Sequence, residues 1–339
     1  MAKGSSDLSA VDAFKQGVVD RLGASIKKAF IDPKNIVYDR FSSGSYLLDD
    51  ELKGGYVKGK HVEFMGESGS GKTSSCAEAV AQFQKKYPKE MIMWFDLENV
   101  LDEDYFNNIG VNIDPDKFIL LRPSTGEEVF EIIREFTKSF KGGLIVIDSV
   151  PLMVPETTME SDFNQANVAA QARLMSKGLE MTMAHVSKSE ATMFFINQLR
   201  VNIGGYGEQN VTKGGKALGY YVRTRIKTSR QNSKGIAGES SGNTFELVKA
   251  NYGNEKKKVE TRIVYGQGID KYSELIDFCT KLDVFEKSGS WFSYKGTKLA
   301  NGKNAFIEVL KDNIELFEEL EQIVRNHIKQ KYEKRNESN

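Results

Sequence analysis

The octet Gly66-Glu67-Ser68-Gly69-Ser70-Gly71-Lys72-Thr73 fits the pattern G-x-x-x-x-G-K-[ST] and constrains this chain more than any other segment. Its three glycines let the backbone turn tightly enough to aim successive N–H groups at phosphate oxygens. A helix beginning at the end of the octet adds its positive end to the same anions. The loop therefore demands a buried strand before it and a helix after it. Residues 61–65, His-Val-Glu-Phe-Met, predict the strand, and residues 74–86 predict a helix with Ala77, Val80, Ala81 and Phe83 on one side. The ligand this implies is a nucleoside triphosphate, with Lys72 reaching the β and γ phosphates, Thr73 ligating Mg2+ and Ser74 beside them.

Around the octet, apolar runs and helical patterns alternate. Buried strands are predicted at 62–65, 91–95, 144–147 and 193–196, with helical segments at 74–86, 126–139 and 165–184 between them. That order predicts a mostly parallel sheet covered by helices. Residues 221–229, 244–250 and 260–265 are β-rich with short polar connections and predict antiparallel strands extending the sheet. Beyond Gly266-Gln267-Gly268 the pattern becomes that of a small α+β module. It has a helix near 271–281, a hairpin around Trp291-Phe292-Ser293-Tyr294-Lys295-Gly296, and a helix with Leu316, Leu320, Ile323 and Val324 on one face. Ahead of the core, Val11, Phe14, Val18, Val19 and Leu22 recur at helical spacing, and Ala29-Phe30-Ile31 reads as a lone strand. This leader docks either on its own domain or on a neighbouring protomer. The expected boundaries are an oligomerisation segment at 1–37, a core at 38–268, a small domain at 269–330 and a polar tail at 331–339.

With 339 residues and 40% apolar content, the chain can bury a large core plus smaller appendages. Its 47 basic and 47 acidic side chains cancel, so any nucleic-acid surface must be local. Two distant cysteines, Cys76 and Cys279, imply neither a disulfide framework nor a zinc site, and Cys76 reads as a small buried residue. His61, His185 and His327 lack metal-site neighbours and read as structural or solvated. The sequence has no apolar run of transmembrane length and begins with polar Met1-Ala2-Lys3-Gly4-Ser5-Ser6. The expectation is a soluble, cytoplasmic protein with no membrane partner.

A phosphate loop needs a carboxylate on a neighbouring strand to orient the Mg2+ shell, and Asp148 follows the apolar run Leu144-Ile145-Val146-Ile147. The alternative for Asp148 is a turn or helix N-cap. Hydrolysis also needs a base or orienting group for water, and Asp96-Leu97-Glu98 offers two acids at the end of the strand at 91–95. A third strand ends in Phe195-Ile196-Asn197-Gln198, bringing an amide to the same sheet edge, where open α/β folds bind ligands. Gln198 there can sense a γ phosphate, or it is an ordinary strand-terminating glutamine.

The ordered set of these segments resembles the bacterial RecA recombinases. It comprises Phe41-Ser42-Ser43-Gly44-Ser45, the octet, Asp96-Leu97-Glu98-Asn99-Val100-Leu101-Asp102, Leu144 to Ser149, Phe195-Ile196-Asn197-Gln198-Leu199-Arg200, Thr212-Lys213-Gly214-Gly215-Lys216-Ala217-Leu218 and Val264-Tyr265-Gly266-Gln267-Gly268. The module at 291–296 with Leu310-Lys311-Asp312-Asn313 is similar to the family's C-terminal domain, and the resemblance covers about residues 38–328. It implies an α/β fold with a RecA-like P-loop ATPase core, a mostly parallel central sheet, an N-terminal helix and strand extension and a small α+β C-terminal domain. By resemblance, Glu98 is the catalytic glutamate, Asp102 and Tyr105 contact adenine, Gln198 reads the γ phosphate, Tyr265 and Gly266 line the nucleotide site, and Tyr220 lies at the protomer interface. Lys249 matches one of a cross-protomer lysine pair that acts like an arginine finger. DNA contact is implied for loops at about 156–168 and 200–212. Arg173 and Arg200 would contact phosphate there, Gly214 and Gly215 would offer backbone amides, and Val168 and Ile203 would insert between bases.

The chain also departs from that pattern. Glu180 stands where the family usually has a second arginine, Asn251 where the second lysine of the pair is expected, and the end of the chain lacks an acidic tail. Lys256, Lys257 and Lys258 are alternative cations. Such departures fit a divergent member of the kind a phage genome carries. The expected activity is a DNA-dependent ATPase that uses ATP and Mg2+, forms a homo-oligomeric helical filament on single-stranded DNA and exchanges strands with homologous double-stranded DNA. A ring-forming helicase or motor on the same fold and an ATP-binding filament scaffold with little turnover are the alternatives.

Overall fold

The computed structural model describes residues 9–32, 37–159, 169–201, 210–212, 217–231 and 239–337. The chain divides into two compact units, Met1–Asp39 and Arg40–Asn339. In the first, helix α1 (Ala10–Leu22) starts at Ser9, whose hydroxyl accepts from the Asp12 N–H, and a 3-10 turn, Ala24–Ala29, follows. Val11, Phe14 and Leu22 are exposed. The strand expected at Ala29-Phe30-Ile31 is not formed: Ala29 ends the 3-10 turn, and Phe30 and Ile31 belong to no strand. An isolated strand has no ladder to satisfy its backbone groups, so sequence pattern alone could not make one.

The second unit opens with β1 (Arg40–Phe41), α2 (Tyr46–Glu51) and β2 (Tyr56–Val57), β1 and β2 forming a small antiparallel pair. The core then runs β3 (Val62–Gly66), α3 (Lys72–Lys86), β4 (Ile92–Asp96), α4 (Glu103–Ile109), β5 (Phe118–Leu121), α5 (Gly126–Ser139), β6 (Leu144–Asp148), the short α6 (Glu156–Met159), α7 (Ala170–Ser189) and β7 (Thr192–Val201). It continues through β8 (Asn210–Thr212), α8 (Ala217–Tyr221), β9 (Thr224–Gln231), β10 (Ser240–Ala250), β11 (Lys258–Val264) and β12 (Gly268–Ile269). A smaller module follows, with α9 (Lys271–Lys281), β13 (Glu286–Ser288), β14 (Trp291–Tyr294), β15 (Thr297–Asn301), α10 (Lys303–Asp312) and α11 (Ile314–Glu337).

One ten-stranded sheet carries the core in the order β12-β11-β10-β9-β3-β7-β6-β4-β5, with β8 pairing to β7 off that path. The six strands from β9 to β5 are parallel, and β10, β11 and β12 are added antiparallel. Strands β3, β4 and β6 are buried at every position, as parallel strands covered on both faces require. On one face Phe64, Trp94 and Phe194 of the sheet share a core with Val80 and Phe83 of α3 and Phe106 of α4, and on the other Phe95, Ile147 and Phe195 share one with Ile133 of α5 and Met175 of α7. The smaller module closes its own core around Phe278, Phe285, Phe292, Phe306 and Leu320.

Several elements differ from the sequence reading. Tyr221 ends helix α8 rather than beginning a strand, because Leu218 and Val222 pack into the core one helical turn apart. Strand β5 and helices α2 and α4 were not anticipated. All three are short, with four, six and seven residues, too few for a period to declare itself.

Candidate active site

Register places the chemistry. Gly66 pairs with Gln198 across β3 and β7, Asp96 with Asp148 across β4 and β6, and Asp148 with Ile196 across β6 and β7. The C-terminal ends of four neighbouring parallel strands therefore bring the octet, Glu98, Asp148 and Gln198 to one edge. A cavity of about 280 Å³ opens there, lined by Ser68, Gly69, Gly71, Lys72, Thr73, Ser74, Glu98, Tyr105, Asp148, Ile196, Gln198, Ser241, Ile263, Tyr265 and Gly266.

The loop is held from below. Gly71 caps α3 in the left-handed region at φ 86°, and a Cβ there would collide with Ile263. Ser70 shares a 2.7 Å hydrogen bond with Thr228, and the Asn243 side-chain amide donates to the Ser70 carbonyl at 3.0 Å. Lys72 folds back so that its Nζ donates to the carbonyls of Gly66 (3.1 Å) and Glu67 (2.6 Å). Burial lowers its pKa, with Glu98 and Asp148 opposing. A half-desolvated ammonium whose partners are carbonyls is well matched to an incoming anion.

Thr73 Oγ1 donates to Asp148 Oδ2 at 3.0 Å, while Asp148 Oδ1 is buried with no hydrogen-bond partner. Burial raises the Asp148 carboxyl to about 7, opposed by the Thr73 hydrogen bond and reinforced by Glu98 and Asp96. The orphaned oxygen and the adjacent hydroxyl are hard oxygen donors of the kind Mg2+ takes, so the residues fit that ion. Glu98 Oε1 accepts from Ser149 Oγ at 2.7 Å and from Gln198 Nε2 at 3.4 Å. Tyr105 closes another wall, its hydroxyl 2.5 Å from Ser74 Oγ. Tyr265 accepts from Arg230 at 2.6 Å.

Other expected residues lie elsewhere. Gly66, Glu67 and Ser70 build the loop without lining the cavity, and Asp102 caps α4 by accepting from the Tyr105 N–H at 2.7 Å. Lys249 is remote from the cavity: its Nζ donates to the Gly219 and Val222 carbonyls at 2.9 and 2.8 Å, at the end of α8. Arg173 lies on the exposed face of α7 with Lys177 and Glu180. Val168, Ile203, Gly214 and Gly215 lie outside the described residues, as does the side chain of Arg200. Among the described residues there is no cluster able to hold a metal through three His, Cys, Asp or Glu ligands, and no helix long and apolar enough to cross a membrane. His61 is buried and accepts from the Met193 N–H, its pKa lowered to about 3 by burial.

Sequence reasoning missed Ser241 and Ile263 in the cavity wall and Thr228 and Asn243 beneath the loop. Ser241, Asn243 and Ile263 come from the antiparallel strands β10 and β11, and Thr228 from β9 at their junction with the parallel ones; alternation there marks a face but not which face meets the octet.

The family model for the RecA N-terminal domain matches residues 10–270, and that for the RecA C-terminal domain matches residues 273–329. Among curated proteins, the chain is 36% identical over 286 residues to Protein RecA of Mycoplasmopsis pulmonis, covering 83% of each chain. It is 36% identical over 332 residues to Protein RecA of Campylobacter hominis, covering 95% of this chain and 91% of that one. With Protein RecA of Rickettsia bellii it shares 37% over 295 residues, 86% of this chain and 85% of the relative.

Proposed function

This chain belongs to the RecA family, and we propose that it is an ATP-dependent recombinase that assembles on single-stranded DNA as a helical filament and exchanges strands with a homologous duplex. At family level it is a RecA-type P-loop protein of DNA recombination and repair with an α/β RecA-like fold. The finer reading rests on one observation: Lys72, Thr73, Asp148, Glu98 and Gln198 converge on a single cavity at the carboxyl edge of the parallel strands.

In this reading the octet amides and Lys72 bind the triphosphate, and Tyr105 and Tyr265 flank the nucleoside. Thr73 and Asp148 hold Mg2+, which would neutralise charge building on the phosphates. Glu98 accepts the proton of the attacking water as the new O–P bond forms and the β–γ bridge breaks. Gln198 reaches Glu98 from β7, the strand that continues toward the second proposed DNA loop, so the state of the γ phosphate can reach the DNA side through one strand. Residues 1–37 serve as the oligomerisation segment, 38–268 as the ATPase core and 269–330 as the small accessory domain.

Lys249 supplies its charge to a neighbouring protomer's site. In a single protomer it is engaged by its own α8, and burial together with Arg223 and Arg225 lowers its pKa. Assembly must free it before it can act. Asn251 at the partner position favours, as a second reading, a filament that binds ATP and turns it over slowly. The rate of ATP hydrolysis with and without single-stranded DNA separates these readings. At least a tenfold stimulation supports the recombinase, and no stimulation at saturating DNA contradicts it.

A further inference from the structure

The structure places a cation, Arg122, behind the proposed base. Strand β5 pairs in parallel with β4 so that Phe95 faces Leu121, and the next residues along, Asp96 and Arg122, meet at the sheet edge. Arg122 Nη2 and Nε donate to Asp96 Oδ2 at 2.8 and 3.2 Å. The arginine side chain is half exposed, whereas Asp96 is 1% exposed. A buried carboxylate facing a guanidinium fork is far more constrained than a surface pair.

Asp96 spends its remaining capacity on the turn that carries Glu98. Its Oδ1 accepts from the Val100 N–H at 3.0 Å and its Oδ2 from the Leu101 N–H at 3.4 Å, while the Leu97 N–H donates to the Asp148 carbonyl at 2.7 Å. Asn99 closes the turn in the left-handed region at φ 55°. The turn that carries Glu98 is thus gripped by Asp96 at Val100 and Leu101, and the Glu98 carboxylate is held by Ser149 and Gln198. Tyr105, on the far side of the same loop, has anchors of its own in Asp102 and Ser74.

Resting on the reading of Glu98 as the base, we propose that Arg122 is a positioning residue for ATP hydrolysis: through Asp96 it fixes the turn that aims Glu98, while leaving nucleotide binding to other groups. Without the guanidinium, the buried Asp96 carboxylate loses its counter-charge and the turn loses its anchor. A displacement of about 1 Å at a catalytic group can cost on the order of 10²-fold in rate.

The test is steady-state and single-turnover ATP hydrolysis with single-stranded DNA for wild type, R122A, R122K, E98Q and R122A/E98Q. R122A should lower kcat at least about tenfold with KM for ATP within about twofold, and R122K should recover most of the loss. In the E98Q background, R122A should change the residual rate less than about twofold, because the group it positions is already disabled. Should R122A fail to fold, R122Q, which keeps the volume and a single donor group, carries the same expectations. A wild-type kcat in R122A beside an inactive E98Q overturns the inference alone, as does an equal loss from R122A in both backgrounds. Wild-type turnover by E98Q overturns the reading of Glu98 and the inference with it.

Discussion

Lys72 and Glu98 divide the work of the cavity into holding and reacting, and single substitutions separate them. Lys72 already donates to two carbonyls, so its ammonium is poised over the loop. Charge-assisted bonds of this kind contribute roughly 1.5–3 kcal/mol each. If the ammonium turns from those carbonyls to the phosphates, two such bonds to the nucleotide are lost in Lys72→Ala, which should weaken ATP binding by at least about a hundredfold and abolish nucleotide-dependent DNA binding. Glu98→Gln keeps the shape and the hydrogen-bond acceptor but cannot take a proton. It should retain ATP affinity within about twofold while kcat falls on the order of 10²–10⁴. Nucleotide titrations beside turnover measurements check both. At this scale the octet, Asp148, Glu98 and Gln198 were legible in the sequence because each sits in a motif or at the end of an apolar run. Arg122 was not, since its meaning depends on which strand lies beside β4.

Among the elements, the first helix of the core and the first helix of the small module are tied by one carboxylate. Glu274 on α9 accepts from the Ser45 hydroxyl and the Tyr46 N–H, both at 2.9 Å at the start of α2, and from the Thr261 hydroxyl on β11. Burial raises its pKa to about 7, against the hydrogen bonds from Thr261 and Ser45. The folded chain then keeps a proton on Glu274 at pH values where the unfolded chain, with a carboxyl near 4.5, has released it. This contribution to stability is fullest below about 4.5, falls as pH rises toward 7 and is flat above. Glu274→Gln should remove a slope worth on the order of 1–3 kcal/mol between pH 5 and 7.5. Denaturant titrations of both proteins across that range test it, and identical slopes would contradict it. The central strands and the helices α3 and α5 could be read from period and apolar runs, whereas this junction could not. Nothing in the local pattern around Glu274 says that its carboxylate meets residues more than two hundred positions away.

For the whole molecule, the claim is that one protomer is an incomplete machine. Lys249 is held by its own α8 beside the exposed Tyr220, so turnover should rise cooperatively with protein concentration and with DNA long enough for several protomers. Fingers of this kind contribute on the order of 10³–10⁵ in turnover. Lys72→Ala and Lys249→Ala proteins, each inactive alone, should regain some hydrolysis when mixed, because one of the interfaces they form pairs an intact loop with an intact lysine. Mixtures that co-assemble without exceeding the summed rates would move the role to Lys256, Lys257 or Lys258. The architecture follows from the order of strands and helices, but which surfaces meet another copy depends on shape across molecules, which no periodicity within one chain encodes. The central claim is tested most directly by the yield of exchanged duplex when single-stranded DNA, labelled homologous double-stranded DNA and the protein are combined with and without ATP. The account predicts heteroduplex that requires both ATP and homology and still forms with Glu98→Gln; DNA-stimulated hydrolysis that yields no homologous product would contradict it.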